Sequence, residues 1–226
     1  MKNIKLIIFD VNQTLFHLSE IEKRFKLVGL NKKHADIWFN SVLKEGFALG
    51  CLKLYIPFKN IALAQIENLL TQNKNKNSSR NARFIIKGFV KLKAHKEVSK
   101  SFRKIYKKKI LMVTLTNGDS EITKVLLKNN KLEQYIDHCF SVDDVKCWKP
   151  FKKPYLNVIK HYKIRPSEAI MVASHAWDLT GAKKAGLKTG FISNFEGKFS
   201  DYYPKPDFKA KNINLLVSKI LKAQII

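Results

Sequence analysis

The apolar and polar positions along the chain fall into three kinds of stretch. The first is short and almost uninterruptedly apolar: Leu6-Ile7-Ile8-Phe9 after Ile4, Ile110 to Leu115, and Ala169 to Ala173. A run of strand length with no polar alternation predicts a strand covered on both faces, as in a parallel sheet. His138 to Ser141 predicts a further short strand, and Lys188 to Ile192 the last clear one. In the second kind, apolar residues recur at helical spacing. Ile21, Phe25 and Val28 begin the series, and a longer helix from about His34 to Leu52 carries Ile37, Trp38, Val42, Leu43, Phe47 and Leu49. Pro57 breaks the chain, and helices follow over Ile61 to Leu70 and Asn81 to Lys93. Val98 to Tyr106, Ile122 to Asn129, Lys153 to His161, Thr180 to Ala185 and Ile213 to Ile220 read the same way, with Gly186 a natural stop. The third kind is polar and low in complexity: Asn73 to Ser79 predicts an exposed loop.

The order of these stretches sets the organisation. Residues 16–95 hold helices and no convincing strand, so they read as an all-α insertion behind the first strand. Strand and helix then alternate to the end, which predicts an α/β fold with a parallel sheet and helices on both faces. The expected core is Rossmann-like and three-layered, formed by residues 1–15 and 96–226.

Composition narrows the partners. The formal charge is +25, and a strongly basic chain raises the question of nucleic acid. Only five of the 43 basic residues are Arg, however, and the Lys residues are spread over nearly every segment. Bidentate phosphate and base recognition leans on Arg, so nucleic-acid binding is not expected; the positive field suits a small anionic substrate instead. No apolar run approaches the roughly 20 residues of a membrane span, and Asp10 and Asn12 interrupt the N-terminal apolar stretch, so neither an anchor nor a signal peptide is expected. The expectation is a cytoplasmic protein. Cys51, Cys139 and Cys147 are odd in number and lack CxxC spacing, against a disulfide framework or a thiolate zinc site.

Polar residues cluster where strands end. Asp10 and Thr14 follow the first, Thr116 and Asn117 the second, and Ser174, His175 and Asp178 the strand from Ala169, while Lys149 lies in the loop after the strand at His138 to Ser141. Open α/β sheets bind ligands outside the carboxyl ends of their strands, and convergence of four clusters there points to one site. Taken alone, Asp10 caps a turn equally well, and Asp178 reads as an N-cap to the helix from Thr180. His17, His34, His95, His138 and His161 show no metal-ligand spacing.

In order along the chain, these clusters resemble the motifs of the haloacid dehalogenase superfamily. Asp10-Val11-Asn12-Gln13-Thr14-Leu15 is similar to its nucleophile motif, and Thr116-Asn117-Gly118 to its second. Lys149-Pro150 with Tyr155 is similar to the third, and His175-Ala176-Trp177-Asp178-Leu179-Thr180-Gly181-Ala182 to the fourth. Lys-Pro followed by Tyr, and Trp-Asp-x-Thr-Gly-Ala, most resemble the type II 2-haloacid dehalogenases. The resemblance makes residues 16–95 a helical cap domain inserted after the first strand. It implies that Asp10 displaces halide from a short 2-haloalkanoate to form an enzyme ester. Lys149 would hold Asp10 ionised, Thr14, Thr116 and backbone N–H groups near Asn117 would bind the substrate carboxylate, and Asp178 and His175 would position water. Tyr155 would orient Lys149 or line the pocket, and Trp177 would line the halide side. Members of this family are often homodimers.

Asn12 separates the chemistries within the superfamily. Phosphatases that resemble this chain carry an Asp two residues after the nucleophile, a general acid whose backbone helps to bind Mg²⁺. An amide cannot perform that proton transfer, whereas a halide leaves without one. Asp178 stands without a paired carboxylate, so no metal and no cofactor are expected. Two departures bear on the pocket: Phe39 holds the place of a halide-binding cap Arg, and Ala173 and His175 stand where those enzymes have Ser and Asn. A phosphatase or other hydrolase acting on a small anion, and a catalytically weak basic binding module, remain as alternatives.

Overall fold

A computed structural model describes residues 4–223. The first strand, β1 (Leu6–Phe9), is buried at every position. It leads into a two-residue strand β2 (Phe16–His17) and then the helices α1 (Ser19–Leu27), α2 (Lys32–Cys51), α3 (Phe58–Gln72) and α4 (Ser78–Ile86). A second two-residue strand, β3 (Lys93–Ala94), pairs antiparallel with β2. Both ends of the helical block are thus closed by a small ribbon, where the apolar pattern predicts no strand in residues 16–95. Two residues are too few to show alternation. The ribbon is held from outside by Asn130, whose side chain accepts from the Ala94 N–H at 2.9 Å and donates to the Leu92 carbonyl at 3.1 Å. The predicted helix over Asn81 to Lys93 accordingly ends at Ile86, followed by a single 3₁₀ turn at Phe89–Lys91.

The remainder alternates: α5 (Val98–Tyr106), β4 (Leu111–Thr116), α6 (Ser120–Asn129), β5 (His138–Ser141), α7 (Lys152–Tyr162), β6 (Ala169–Ala173), α8 (Ala176–Lys184), β7 (Lys188–Ile192), β8 (Phe208–Ala210) and α9 (Ile213–Lys222). The sheet order is β5-β4-β1-β6-β7-β8, every neighbouring pair is parallel, and β1 lies between β4 and β6. The edge strand β8 is absent from the apolar pattern because its three residues are mostly half-exposed or exposed.

Successive side chains of a strand point to opposite faces, and β1 divides its residues accordingly. Leu6 and Ile8 pack with Val113, Leu115 and the α7 and α8 residues Tyr155, Val158, Leu179 and Ala182. Ile7 and Phe9 pack with Phe102 and Ile105 of α5, Leu126 of α6, and Leu216, Val217 and Ile220 of α9. That second layer runs on into the helical block, so the two share one continuous apolar cluster. Its joint is aromatic: Phe58 lies 6.0 Å from Trp148 and 5.8 Å from Phe89, ring centre to ring centre. Trp148 also donates to the Ile56 carbonyl at 2.9 Å, and a Cβ at Gly46 of α2 would overlap its ring. The Trp148–Lys149 loop is therefore set by the helices above it as well as by the sheet below. No helix among the described residues is long and apolar enough to cross a membrane.

Candidate active site

β1 is a central strand, so the residue leaving its carboxyl end stands over the middle of the sheet edge. That residue is Asp10, whose N–H bonds to the Val172 carbonyl of β6 at 3.0 Å, extending the ladder by one step. The next turn brings Thr14 back so that its hydroxyl donates to Asp10 Oδ2 at 2.7 Å. Thr14 Oγ1 accepts in turn from the Ser174 N–H at 3.0 Å. The hydroxyl is thus committed on both sides, and it fixes the carboxylate; it does not line the space above, where the motif resemblance has it meet substrate. Gln13 between them sits at φ 63°.

Lys149 comes from the loop after β5. Its side chain is 0% exposed, and Nζ donates to Asp10 Oδ1 at 2.9 Å, Asp178 Oδ2 at 2.6 Å and the Leu115 carbonyl at 2.9 Å. Three acceptors satisfy its three protons, as a buried ammonium requires. Asn117, just past β4, pins the main chain of the same residue: its Oδ1 accepts from the Lys149 N–H at 2.8 Å. Asp178 lies in the first turn of α8, which begins at Ala176 with His175 as its N-cap residue. Asp178 is therefore not the cap of a helix from Thr180. Its two oxygens accept from Lys149 and, at 2.6 Å, from the Tyr155 hydroxyl. The approach of α8 to Lys149-Pro150 depends on Gly181, where a Cβ would overlap the Pro150 carbonyl oxygen.

The electrostatics follow from one cation between two buried carboxylates. Burial alone pushes the Asp10 carboxyl up, but the Lys149 ammonium, with the His175 imidazole beside it, outweighs burial and holds Asp10 well below the usual carboxylate range. Asp178 is raised by burial and by Asp10, with Lys149 and Tyr155 pulling it part of the way back. Burial disfavours the Lys149 ammonium, yet the two carboxylates raise its pKa above the ordinary value. Tyr155 is raised well above its ordinary value by burial and by Asp178, and so acts as a neutral donor.

His175 closes one side. Its Nδ1 stands 3.4 Å from Asp10 Oδ2 without a hydrogen bond, its Nε2 is 2.9 Å from Gln13 Oε1, and its ring stacks on Trp177 at 5.4 Å. Trp177 in turn packs on Phe47 of α2 at 5.0 Å. Above Asp10 is a chamber of about 20 Å³, room for roughly one water molecule. Its walls include Asp10, Asn12, Thr116, Asn117, Lys149, His175 and Trp177, and its roof is Phe39 and Leu43 of α2 with Phe58 of α3. Every residue singled out from the sequence lies in this constellation; Thr14, Tyr155 and Asp178 stand behind the wall instead of in it. Sequence pattern alone does not single out Gln13, Leu43 or Phe58. Gln13 lies inside the first motif, and Phe58 follows the helix-breaking Pro57, but neither position carries a chemical signal of its own. As an oxygen cage for a hard cation the donors fit poorly, since an ammonium already bridges the two carboxylates.

Residues 52–192 match the family described as haloacid dehalogenase-like hydrolase. Haloacetate dehalogenase H-2 of Moraxella sp. (strain B) is 24% identical, the alignment covering 97% of this chain and 99% of that protein. Pyrophosphatase PpaX of Bacillus cereus (strain Q1) is also 24% identical, covering 91% of each. The fold is matched by the L-2-haloacid dehalogenase of Xanthobacter autotrophicus, with a TM-score of 0.88 and 18% identity over 96% of this chain and 98% of that one.

Proposed function

The chain belongs to the haloacid dehalogenase-like hydrolases, and we propose that it hydrolyses the carbon–halogen bond of short 2-haloalkanoates through an ester on Asp10, without a metal ion. The observation that carries this reading is the Lys149 ammonium seated between Asp10 and Asp178. It leaves Asp10 ionised and sets a cation supplied by the chain itself between the two carboxylates. Relatives named as haloacid and haloacetate dehalogenases support the substrate class.

In this reading residues 1–15 and 96–226 are the catalytic core, and residues 16–95 are the cap that roofs it. The substrate carboxylate lies against Thr116 and the N–H groups around Asn117, drawn by Lys149. An Asp10 oxygen attacks C2 in line, the C2–O bond forms as the C2–halogen bond breaks, and the halide leaves with the electron pair. Among the described residues Lys149 is the one Lys or Arg in the chamber wall. With Phe39 overhead, the departing halide meets the rings of Phe39, Trp177 and Phe58 and the imidazole of His175. Water then attacks the acyl carbon of the Asp10 ester. His175 Nδ1, which lines the chamber and is unpaired, takes its proton. The acyl–oxygen bond breaks, the departing oxygen takes the proton held by His175, and the 2-hydroxyalkanoate leaves as the regenerated Asp10 carboxyl gives its own proton to solvent. Asp178 acts through Lys149, and Tyr155 through Asp178.

The test is halide release from chloroacetate and bromoacetate by chelator-treated protein. Halide should appear without added metal. Phosphate release from a generic ester, dependent on Mg²⁺ and without halide release, would overturn the reading in favour of the phosphatase chemistry that PpaX represents.

A further inference from the structure

Gln13 touches none of the reacting groups, yet its backbone takes a conformation that favours glycine. Among the described residues seven non-glycine positions have positive φ, and six of them are lysines exposed on the surface. The seventh, Gln13 at φ 63°, is buried. A long buried side chain persists in the left-handed region only where its surroundings hold it there. Here they do: the Gln13 N–H donates to the Phe16 carbonyl at 2.7 Å, and the Gln13 carbonyl accepts from His95 Nε2 at 3.2 Å. So held, the side chain meets a residue 162 positions away, placing Oε1 2.9 Å from His175 Nε2. The imidazole is equally fixed. It is buried and packs against Trp177 at 5.4 Å and Phe195 at 5.5 Å, ring centre to ring centre. Gln13 itself stays out of the chamber wall and borders the spaces beyond it.

We propose that Gln13 is the positioning residue of the His175 base: its amide oxygen keeps a proton on Nε2, so that the proton that comes and goes is the one on Nδ1, inside the chamber. The proposal rests on the dehalogenase reading and deepens it, to the step in which water opens the Asp10 ester. A neutral imidazole carries one proton, and the hydrogen bond made at one nitrogen decides which of the two bears it. An acceptor at Nε2 leaves the Nδ1 lone pair bare. Nδ1 is buried without a hydrogen-bond partner and stands 3.4 Å from Asp10 Oδ2, beside the carbon that water attacks. Water there gives its proton to Nδ1 as its oxygen bonds to the acyl carbon. The imidazolium that results keeps Nε2–H on Gln13 and hands the Nδ1 proton to the departing oxygen. A ring with its one proton on Nδ1 has no lone pair to offer that water. The first step, attack of Asp10 on C2, moves no proton, so Gln13 acts on the second step alone.

The test separates the two steps and reads the ring directly. Rapid acid quench during turnover of 2-bromopropionate, followed by intact-protein mass spectrometry, gives the rates at which the Asp10 ester forms and disappears. Gln13→Leu keeps the bulk and removes the acceptor. It should form ester within about twofold of the wild-type rate and hydrolyse it at least about tenfold more slowly, so that ester accumulates. Gln13→Glu retains an oxygen acceptor and should hydrolyse the ester within about threefold of wild type. Gln13→Gly takes φ 63° without strain and serves if Gln13→Leu does not fold. ¹⁵N–¹H correlation spectra of the imidazoles in mildly alkaline solution, with the His175 signals assigned by their loss in His175→Asn, report the tautomer without any turnover. Wild type and Gln13→Glu should carry the proton on Nε2, and Gln13→Leu should lose that preference. A proton held on Nε2 in wild type and released in Gln13→Leu supports the assignment even if no ester and no halide ever form, in which case the reaction assignment alone fails. A wild-type ring protonated on Nδ1 overturns it, since the Gln13 amide then donates. Ester formation and hydrolysis slowed alike in Gln13→Leu also overturn it, as does Gln13→Glu hydrolysing ester as slowly as Gln13→Leu; halide release alongside any of these leaves the reaction standing.

Discussion

The floor and the roof of the reaction chamber are built from different materials. On the floor, the ends of β1 and β4, the loop before α7, α7 itself and the first turn of α8 bring Asp10, Thr14, Asn117, Lys149, Tyr155 and Asp178 into one network. Each of these side chains is bonded at least once within it, and Lys149 is bonded to capacity. The roof is Phe39, Leu43 and Phe58, from helices whose other apolar residues simply pack. A buried charge network tolerates little change, because removing one member strands another in a medium that cannot solvate it. An apolar roof exchanges volume for volume at small cost. Under the proposed function, the floor holds the chemistry and the roof sets selectivity. On this account, the departure at Phe39 alters what binds more than what reacts.

Substitutions test that contrast in order of expected effect. Asp10→Asn should reduce kcat by at least about 10⁴-fold, as removal of a nucleophile does, with the fold unchanged by circular dichroism. Lys149→Met leaves Asp10 and Asp178 facing each other without a cation. Turnover should fall by about 10³-fold and stability to denaturant by about 3–5 kcal/mol. Tyr155→Phe removes one donor to Asp178 and nothing from the chamber, so kcat should fall only about tenfold. Because Asp10 is held below the usual carboxylate range, the acid limb of kcat/KM belongs to Asp178, whose pKa is raised by burial. The Tyr155 hydrogen bond lowers that pKa; without it the limb should move toward higher pH, which a pH–rate profile reads directly. Phe39→Leu on the roof should change KM a few-fold, keep kcat within about twofold and cost less than about 1.5 kcal/mol. A roof substitution as damaging as a floor one would break the contrast.

The same difference explains what the sequence discloses. The floor residues are chemically distinctive and stand at the ends of unbroken apolar runs, where the parallel-sheet rule places ligands. Asp10, Lys149 and Asp178 therefore stand out as candidates by residue type and position, while the motif resemblance is what separates them from turn and cap roles. Their division of labour is not legible there. That Thr14 serves Asp10, and that Asn117 holds the Lys149 main chain, depends on hydrogen bonds spanning up to 32 positions, which no local pattern encodes. The roof is less visible still, since Leu43 and Phe58 look like any helix residue facing a core. The β2–β3 ribbon and β8 are too short for periodicity to show, and the Asn130 side chain that secures the ribbon lies 36 positions from Ala94.

The central claim is that Asp10 becomes the oxygen donor to carbon. With enzyme in molar excess over a 2-bromoalkanoate in ¹⁸O-labelled water, a single turnover followed by mass spectrometry separates the possibilities. The account predicts hydroxy acid whose new oxygen is unlabelled, and one ¹⁸O in the peptide that contains Asp10. Label in the hydroxy acid formed in that first turnover, with Asp10 unlabelled, would mean that water attacks carbon directly and would contradict it.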